Sequence, residues 1–193
     1  MRARLLGTAL ILAVLLVAGR ETAKATILIK KDLSQLSVES EKIVVARVGS
    51  QQGAYAKGTK IIFTYTQLSV ESTLKGAAVE SLELAEVGGT LGNVTCVVSG
   101  MPRFKEGERV LLFLKKDALG QWRTHGCIQG RFDVVENLAT GERLVKLDPA
   151  LGHVHAGFFA TEADPRPRAV TIEEFASKIE NLIVAASKKE EGK

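Results

Sequence analysis

Short apolar β segments separated by glycine-bearing turns fill the body of this chain, and they limit its fold more than any other feature. β-Branched and aromatic residues favour a pleated surface, and short runs of them between turn residues are typical of strands. The segments lie at residues 43–48, 61–74, 82–87, 94–98, 109–114, 122–128, 131–135 and 143–147. Seven or eight strands spaced in this way predict a mainly β fold, an antiparallel barrel or sandwich.

Three stretches of this region predict how the strands are buried and joined. Residues 109–114 are nearly all apolar, as in a strand that is covered on both faces. Residues 82–87 alternate apolar and acidic side chains, including Glu83 and Glu86, which predicts one face on the core and one in water. Residues 49–60 are polar and contain three glycines, and they predict a link between the first two strands.

A short helix is expected before the first strand, opening at Asp32 or Ser34 and running through Lys42. Two leucines spaced three residues apart would share one side of this helix. Residues 26–187 are the size of one ordinary domain, and they are long enough to bury a core. The chain is therefore predicted to hold a single β-barrel domain with this helix at its start.

The last helix has the clearest start signal in the sequence. Thr171 and Glu174 have the spacing of a capping box, and apolar residues recur at helical spacing over about 171–187. This pattern predicts an amphipathic C-terminal helix that buries one stripe against the barrel, followed by a disordered tail at 188–193. A helix that binds a partner or lies on a membrane surface is the alternative interpretation.

Residues 1–25 have the order of a cleavable export signal. Basic residues lead into an almost unbroken apolar run over 5–18, and a short polar stretch ends in Ala23-Lys24-Ala25. This run is shorter than the roughly 20 residues that a bilayer span needs. The mature protein is therefore expected to start near Thr26 and to be extracytoplasmic (periplasmic or secreted). It is not expected to insert stably into a membrane once the signal has been cleaved. Cleavage after Gly19 and retention of the segment as an anchor are the alternatives.

The export signal also changes the charge balance. The whole chain carries a formal net charge of +4, but residues 26–193 hold 22 basic and 21 acidic residues. Recognition of nucleic acid needs a concentrated basic surface, and the remaining lysines and arginines are dispersed. We therefore expect no nucleic-acid partner.

The two cysteines, Cys96 and Cys127, both lie in the part that is expected to be exported. An even number of cysteines in an oxidising compartment predicts a disulfide. This bond would close a loop of about 30 residues and stabilise the fold by roughly 3 to 4 kcal/mol. A catalytic thiol or a metal ligand is the competing interpretation, although neither cysteine has CxxC spacing.

Motifs for catalysis or cofactor binding are sparse. His153-Val154-His155 would place two imidazoles on one face of an extended chain, a usable but isolated metal geometry. Residues 88–93 are glycine-rich but lack a Gly-Lys-Ser/Thr ending, so they predict a hairpin turn instead of a phosphate site. No catalytic residue, cofactor or metal ligand is assigned, and the protein is expected not to be an enzyme.

A combination of motifs resembles a widespread group of exported bacterial proteins of uncharacterised function. In this chain the motifs are a valine-rich strand at 45–49, a strand at 64–76 that ends in STLKG, the Val87-Gly88-Gly89 turn, VSGMPRFKEG at 98–107, ERVLLFL at 108–114 and GCIQGRF at 126–132. The resemblance covers roughly residues 30–148, and it is specific as an ordered set. It implies an exported protein and no particular activity.

A more distant resemblance is to the netrin-like barrels of tissue metalloprotease inhibitors, which belong to the oligonucleotide/oligosaccharide-binding (OB) type. It rests on the strand pair that ends in Lys75-Gly76 and on the sequence that continues from Gly107 through ERVLLFL. The resemblance implies a small OB-like barrel of seven or eight strands with flanking helices. Such inhibitors chelate a protease zinc through an N-terminal cysteine, whereas the expected mature start here is Thr26.

These observations predict a non-catalytic, exported binding or structural module that contacts a protein or cell-surface component through its loops. An inhibitor or partner of an extracellular protease is one alternative, from the inhibitor-like barrel. A metal-dependent enzyme that uses His153 and His155 is the other.

Overall fold

Five strands form a closed ring in a computed structural model that describes residues 28–148, 151, 153–154 and 168–191. The strands in chain order are β1 (Lys42–Tyr55), β2 (Ile62–Lys75), β3 (Ser81–Val87), β4 (Gly89–Leu91), β5 (Val94–Cys96), β6 (Arg109–Lys116), β7 (Trp122–Thr124), β8 (Arg131–Glu136), β9 (Arg143–Leu147) and β10 (Arg168–Thr171). The ring runs β1-β2-β3-β7-β6 and closes where β6 returns to β1. Its neighbours are antiparallel except for β3 and β7, which pair in parallel at Leu84 and Trp122. The predicted mainly β, OB-like barrel is confirmed.

Further elements form a second layer beside the barrel. β8, β9 and β10 continue the sheet outward from β6. Two helices, α1 (Leu33–Glu39) and α2 (Ile172–Glu191), share an apolar cluster with these strands and with the outward faces of β1 and β6. This confirms the predicted short helix near the start and the predicted C-terminal helix against the barrel. The segment 1–25 and the expected start at Thr26 lie outside the described residues.

Residues 42–46 of β1 and 110–114 of β6 are buried on both faces of the sheet, as predicted for the run at 109–114. Alternate residues of each strand point into different clusters. Val44, Val110 and Leu112 belong to the cluster inside the barrel. Ile43 and Phe113 belong to the outer cluster beneath the helices. The continuous apolar runs of these two strands therefore follow from the two layers that cover them.

Helix α1 begins where the sequence predicts and ends earlier. The Asp32 carboxyl accepts the Gln35 N–H at 2.8 Å, and the Gln35 side chain accepts the Asp32 N–H at 3.0 Å, which completes a capping box. The predicted extension through Lys42 is wrong. Ser40 is already extended, and Lys42 pairs with Leu114 as the first residue of β1.

Helix α2 also begins as predicted, since the Thr171 hydroxyl accepts the N–H of Glu174 at 3.0 Å. Its buried stripe includes Phe175, whose ring meets that of Phe132 edge-on with centroids 5.0 Å apart. The helix continues to Glu191, so the tail predicted from residue 188 is helical over most of its length. Lysine and glutamate are good helix formers, and Lys188 and Lys189 lie near the C-terminus, where the helix dipole favours cations.

The link predicted at residues 49–60 is wrong for its first half. β1 continues to Tyr55 and pairs with β2 along this stretch, after a register shift that follows Val48. Gly53 serves close packing here: a Cβ atom at this position would lie 2.2 Å from the carbonyl oxygen of Thr90. The glycine thus allows β4 to approach the β1–β2 hairpin.

Candidate functional site

A cavity of about 220 Å³ lies at one end of the barrel. Its walls come from β1, β2 and β3, and it is covered by the β4–β5 hairpin and the segment 97–104. The lining is partly polar, with Gln51, Thr64, Thr66 and Glu86, and partly apolar, with Met101 and Phe104 among its members. The cavity combines apolar walls with a few convergent polar groups, as ligand sites do.

Glu86 is the buried acid of this cavity, with 6% of its surface exposed. Leu82 and Leu84 point into the barrel, and side chains two residues apart share a face of a strand, so Glu86 points inward as well. The prediction that the acidic residues of this strand face water holds for the exposed Glu83 and is wrong for Glu86. The spacing of 82, 84 and 86 was the sequence signal that could have identified it.

The carboxyl group of Glu86 is held by its neighbours on β7. Its Oε1 accepts the backbone N–H of Thr124 at 2.6 Å. Burial raises the pKa of Glu86, and this effect outweighs the opposing influence of hydrogen bonds from Thr124 and of the Arg123 charge. The group therefore gives up its proton less readily than an exposed glutamate.

Two threonines of β2 add hydroxyl groups to the same interior. The Thr64 hydroxyl donates to the carbonyl oxygen of Gly88 at 2.7 Å. Thr66 is fully buried, and within the described residues its Oγ1 has no hydrogen-bond partner. A buried hydroxyl without a hydrogen bond destabilises the fold, so a molecule bound in the cavity could gain a hydrogen bond with Thr66.

The cover of the cavity is tied to the barrel at several points. The Gln51 side chain donates to the carbonyl oxygen of Phe104 at 3.2 Å, and the Ile128 N–H donates to the carbonyl oxygen of Gly100 at 2.9 Å. Phe104 packs on the barrel interior, with the Arg131 guanidinium 5.5 Å from its ring centre. The segment that carries the predicted family motif at 98–107 thus forms the roof of the cavity.

Arg103 lies on this roof, exposed to solvent and lining the cavity. Within the described part of the chain it forms no ion pair. The other arginines with described side chains are each paired with acidic residues: Arg47, Arg109, Arg123, Arg131 and Arg143. Arg103 is therefore available to a partner at the rim.

The predicted disulfide between Cys96 and Cys127 is wrong, since both residues are free cysteines. Cys96 ends β5 and lines the cavity, whereas Cys127 opens a 3-10 turn (Cys127–Gly130) in the left-handed conformation with φ 57°. A disulfide needs matched Cα spacing and Cβ directions, which an even cysteine count does not establish. Burial raises the pKa of the Cys127 thiol, and the nearby Glu86 raises it further. A thiol of this kind is a poor nucleophile near neutral pH.

The predicted strand at 122–128 stops at Thr124 because the 3-10 turn follows it. Gln129 in this turn is fully buried and organises its surroundings. Its side chain accepts the Lys31 N–H at 3.0 Å and donates to the carbonyl oxygens of Ile29 and Gly126, each at 3.0 Å. It therefore joins the start of the described chain to the barrel.

His153, one of the two histidines considered for metal binding, is part of this arrangement. Its Nε2 lies 2.7 Å from Gln129 Oε1, which gives the imidazole a hydrogen-bonding role in the fold. His155 lies outside the described residues. Among the residues that the structure describes, no group of three or more His, Cys, Asp or Glu side chains could hold a metal ion.

Comparison with known proteins adds no family assignment. No protein-family model matches the chain, and no curated protein matches it. Within the described ranges, no helix is both long enough and apolar enough to cross a membrane. The resemblances to exported bacterial proteins and to netrin-like barrels accordingly stay predictions from the motifs.

Proposed function

We propose that this protein is an exported, non-catalytic binding module that recognises a protein or cell-surface component at the covered end of its barrel. The observation that carries the proposal is the pair of buried polar groups in the cavity, the Glu86 carboxyl and the Thr66 hydroxyl, which has no hydrogen-bond partner among the described residues. A rigid barrel holds both groups in place, and loops placed on such a scaffold commonly bind partners.

The lining of the cavity supports binding more than catalysis. Among the described residues, its ionisable lining members are Glu86, Cys96 and Arg103, with no histidine or lysine. General acid–base catalysis commonly pairs groups whose pKa values are tuned apart, and nucleophilic catalysis needs a base beside the nucleophile. A single buried acid among hydroxyl groups is better suited to orient a ligand.

Exposed apolar side chains around the cavity support recognition of a macromolecule. Val94 and Val97 on the cover are 53% and 64% exposed, and Ile61 at the tip of the β1–β2 hairpin is 50% exposed. Val97 and Arg103, which forms no ion pair within the described residues, both line the cavity, so its rim has an apolar and a cationic side chain. Protein interfaces combine apolar and arginine contacts in the same way.

Capture experiments with matched variants test this proposal. The exported fraction of the native host would be passed over immobilised wild-type protein, the rim variant Val97→Lys, and Leu138→Lys. Leu138 is 97% exposed between β8 and β9 and does not line the cavity. We expect wild type and Leu138→Lys to retain the same component and Val97→Lys to lose it. Equal retention by both variants would contradict a binding site at this end of the barrel.

Export itself is tested separately. The full-length chain would be expressed in a bacterial host, and the protein from each cell fraction would be sequenced from its N-terminus. We expect a product that starts near Thr26 outside the cytoplasm. A full-length product confined to the cytoplasm would contradict the proposed export.

A further inference from the structure

We propose that the cavity takes an organic ammonium group, with Glu86 as its counter-ion and Thr66 as a hydrogen-bond acceptor. This inference rests on the proposed binding function and names the chemistry of the group that is bound. A lysine side chain of a protein partner and an amino sugar of the cell surface both present such a group.

The polar lining matches an ammonium group in number and type. A primary ammonium has three N–H donors and no acceptor, so it needs several oxygen atoms around it. The Glu86 carboxyl and the Thr66 hydroxyl supply oxygens in the interior, and the Gln51 side chain supplies an amide oxygen at the wall. The apolar part of the lining, which includes Met101 and Phe104, is suited to the alkyl carbons of the ligand.

The charged groups near Glu86 do not already act as its counter-ion, so a bound cation can take that role. The charge of Arg123 on β7 acts on Glu86, but its guanidinium is already bound to Asp117 at 2.8 Å and to the carbonyl oxygen of Ala85. Burial raises the pKa of the Cys127 thiol in the 3-10 turn, and the Glu86 charge raises it further, so this thiol adds no charge beside Glu86 at neutral pH. Arg103 lines the cavity from the exposed roof, where water screens its charge.

Binding and ionisation of Glu86 are then linked. Burial disfavours the charged carboxylate, and an ammonium group held beside it favours that charge. By reciprocity, the ionised form of Glu86 binds the cation more tightly than the protonated form. An anionic ligand has the opposite dependence, because it would bind beside a protonated carboxyl and near Arg103.

Titration calorimetry of the purified full chain with small probes tests the inference. Nα-acetyl-lysine amide is the peptide probe, glucosamine is the sugar probe, and Nα-acetyl-norleucine amide is the neutral control of similar length. We expect at least one ammonium probe to bind at least about tenfold more tightly than the norleucine probe, as charge-assisted hydrogen bonds imply. The probe that binds more tightly identifies the source of the ammonium group.

Variants assign the binding to the cavity. Glu86→Gln should weaken the ammonium probe by about tenfold or more, whereas Glu83→Gln, on the opposite face of the same strand, should leave its affinity unchanged. Thr66→Val removes the hydroxyl with little change of shape and should weaken binding several-fold. It also provides a second test if Glu86→Gln fails to fold. The affinity of wild type should fall as the pH is lowered through the pKa of Glu86, starting above the range of an ordinary glutamate.

Two outcomes overturn the inference. One is tighter binding of succinate or the norleucine probe than of either ammonium probe, and the other is ammonium binding that is unaffected by both Glu86→Gln and Thr66→Val. If either outcome occurs while Val97→Lys still loses the component that wild type captures, the proposed binding function stands and only the inferred ammonium chemistry is wrong. If ammonium probes bind as expected while Val97→Lys captures the same component as wild type, the proposed function fails and the cavity chemistry stands.

Discussion

The backbone N–H of Thr124 donates to Glu86 Oε1 across 2.6 Å, and this bond joins the parallel strands β3 and β7 beyond their pair at Leu84 and Trp122. Each partner lies two residues past that pair, so both side chains follow the inward face of their strand. The contact places a carboxyl group at one end of a barrel whose interior also holds the apolar cluster of Val44, Val110 and Leu112. The local geometry of the parallel pair therefore sets the chemistry of the cavity.

The free energy of unfolding of Glu86→Gln should increase relative to that of wild type as the pH rises. Burial raises the pKa of Glu86 above its value in the unfolded chain, so between these values the folded protein holds a proton that the unfolded chain has lost. The free energy of unfolding of wild type should therefore decrease through this interval, and Glu86→Gln should lack that decrease. Urea unfolding of both proteins from about pH 4 to pH 8, with Glu83→Gln as the control, measures it. A wild-type-to-variant difference that does not change with pH would contradict the prediction.

Replacement of Gln129 by leucine should lower the free energy of unfolding by about 2 to 4 kcal/mol. The fully buried amide bonds to Lys31, Ile29, Gly126 and His153, and leucine would leave these groups without partners. Chemical denaturation monitored by tryptophan fluorescence measures the loss. Gln52→Leu, at an exposed position of β1, should change stability by less than about 0.5 kcal/mol. Similar small effects of both variants would argue against the role of Gln129.

Replacement of Gly53 by alanine should lower the free energy of unfolding by about 2 to 3 kcal/mol. A Cβ atom there would lie 2.2 Å from the Thr90 carbonyl oxygen, so the β4–β5 hairpin would have to shift. Gly58→Ala is the comparison, because that site has open space and costs about 1 kcal/mol from its positive φ alone. Equal losses for the two variants would mean that β4 does not pack against this strand. Amide spectra should show changes around the hairpin only for Gly53→Ala.

The two cysteines should titrate as free thiols, and Cys127 should react slowly. In denaturant without a reductant, a thiol reagent should label both Cys96 and Cys127. In the folded protein, the raised pKa of Cys127 should slow its labelling at neutral pH and make the rate increase steeply as the pH is raised. The variants Cys96→Ala and Cys127→Ala separate the two rates. If neither cysteine of the unreduced, unfolded protein reacts, the result would support the disulfide between Cys96 and Cys127.

Several elements could be predicted because their signals are local. The N-caps at Asp32 and Thr171 depend on residues three positions away, and each lies where the sequence indicates. The burial of β6 on both faces also followed from its own residues. The continuation of β1 to Tyr55 could not be predicted in this way, since that stretch is a strand only because β2 pairs with it.

The candidate site was missed for the same kind of reason. The inward direction of Glu86 is encoded in its spacing from Leu82 and Leu84, but its burial depends on the hairpin and the roof segment that close the barrel. An acidic residue that alternates with leucines usually faces water, and only the three-dimensional surroundings reverse that expectation here. The disulfide prediction was wrong because an even number of cysteines does not determine the distance between their Cα atoms.

The sequence by itself determined the mainly β character, the positions of most strands and the starts of both helices, since hydrophobic period and capping act over a few residues. The tertiary structure decided the closure of β6 on β1, the parallel pairing of β3 with β7, and the burial of Glu86 in the cavity that Thr66 also lines. These features join residues far apart in the chain. Their free energy comes from contacts that exist only once the barrel has closed, so no local pattern encodes them.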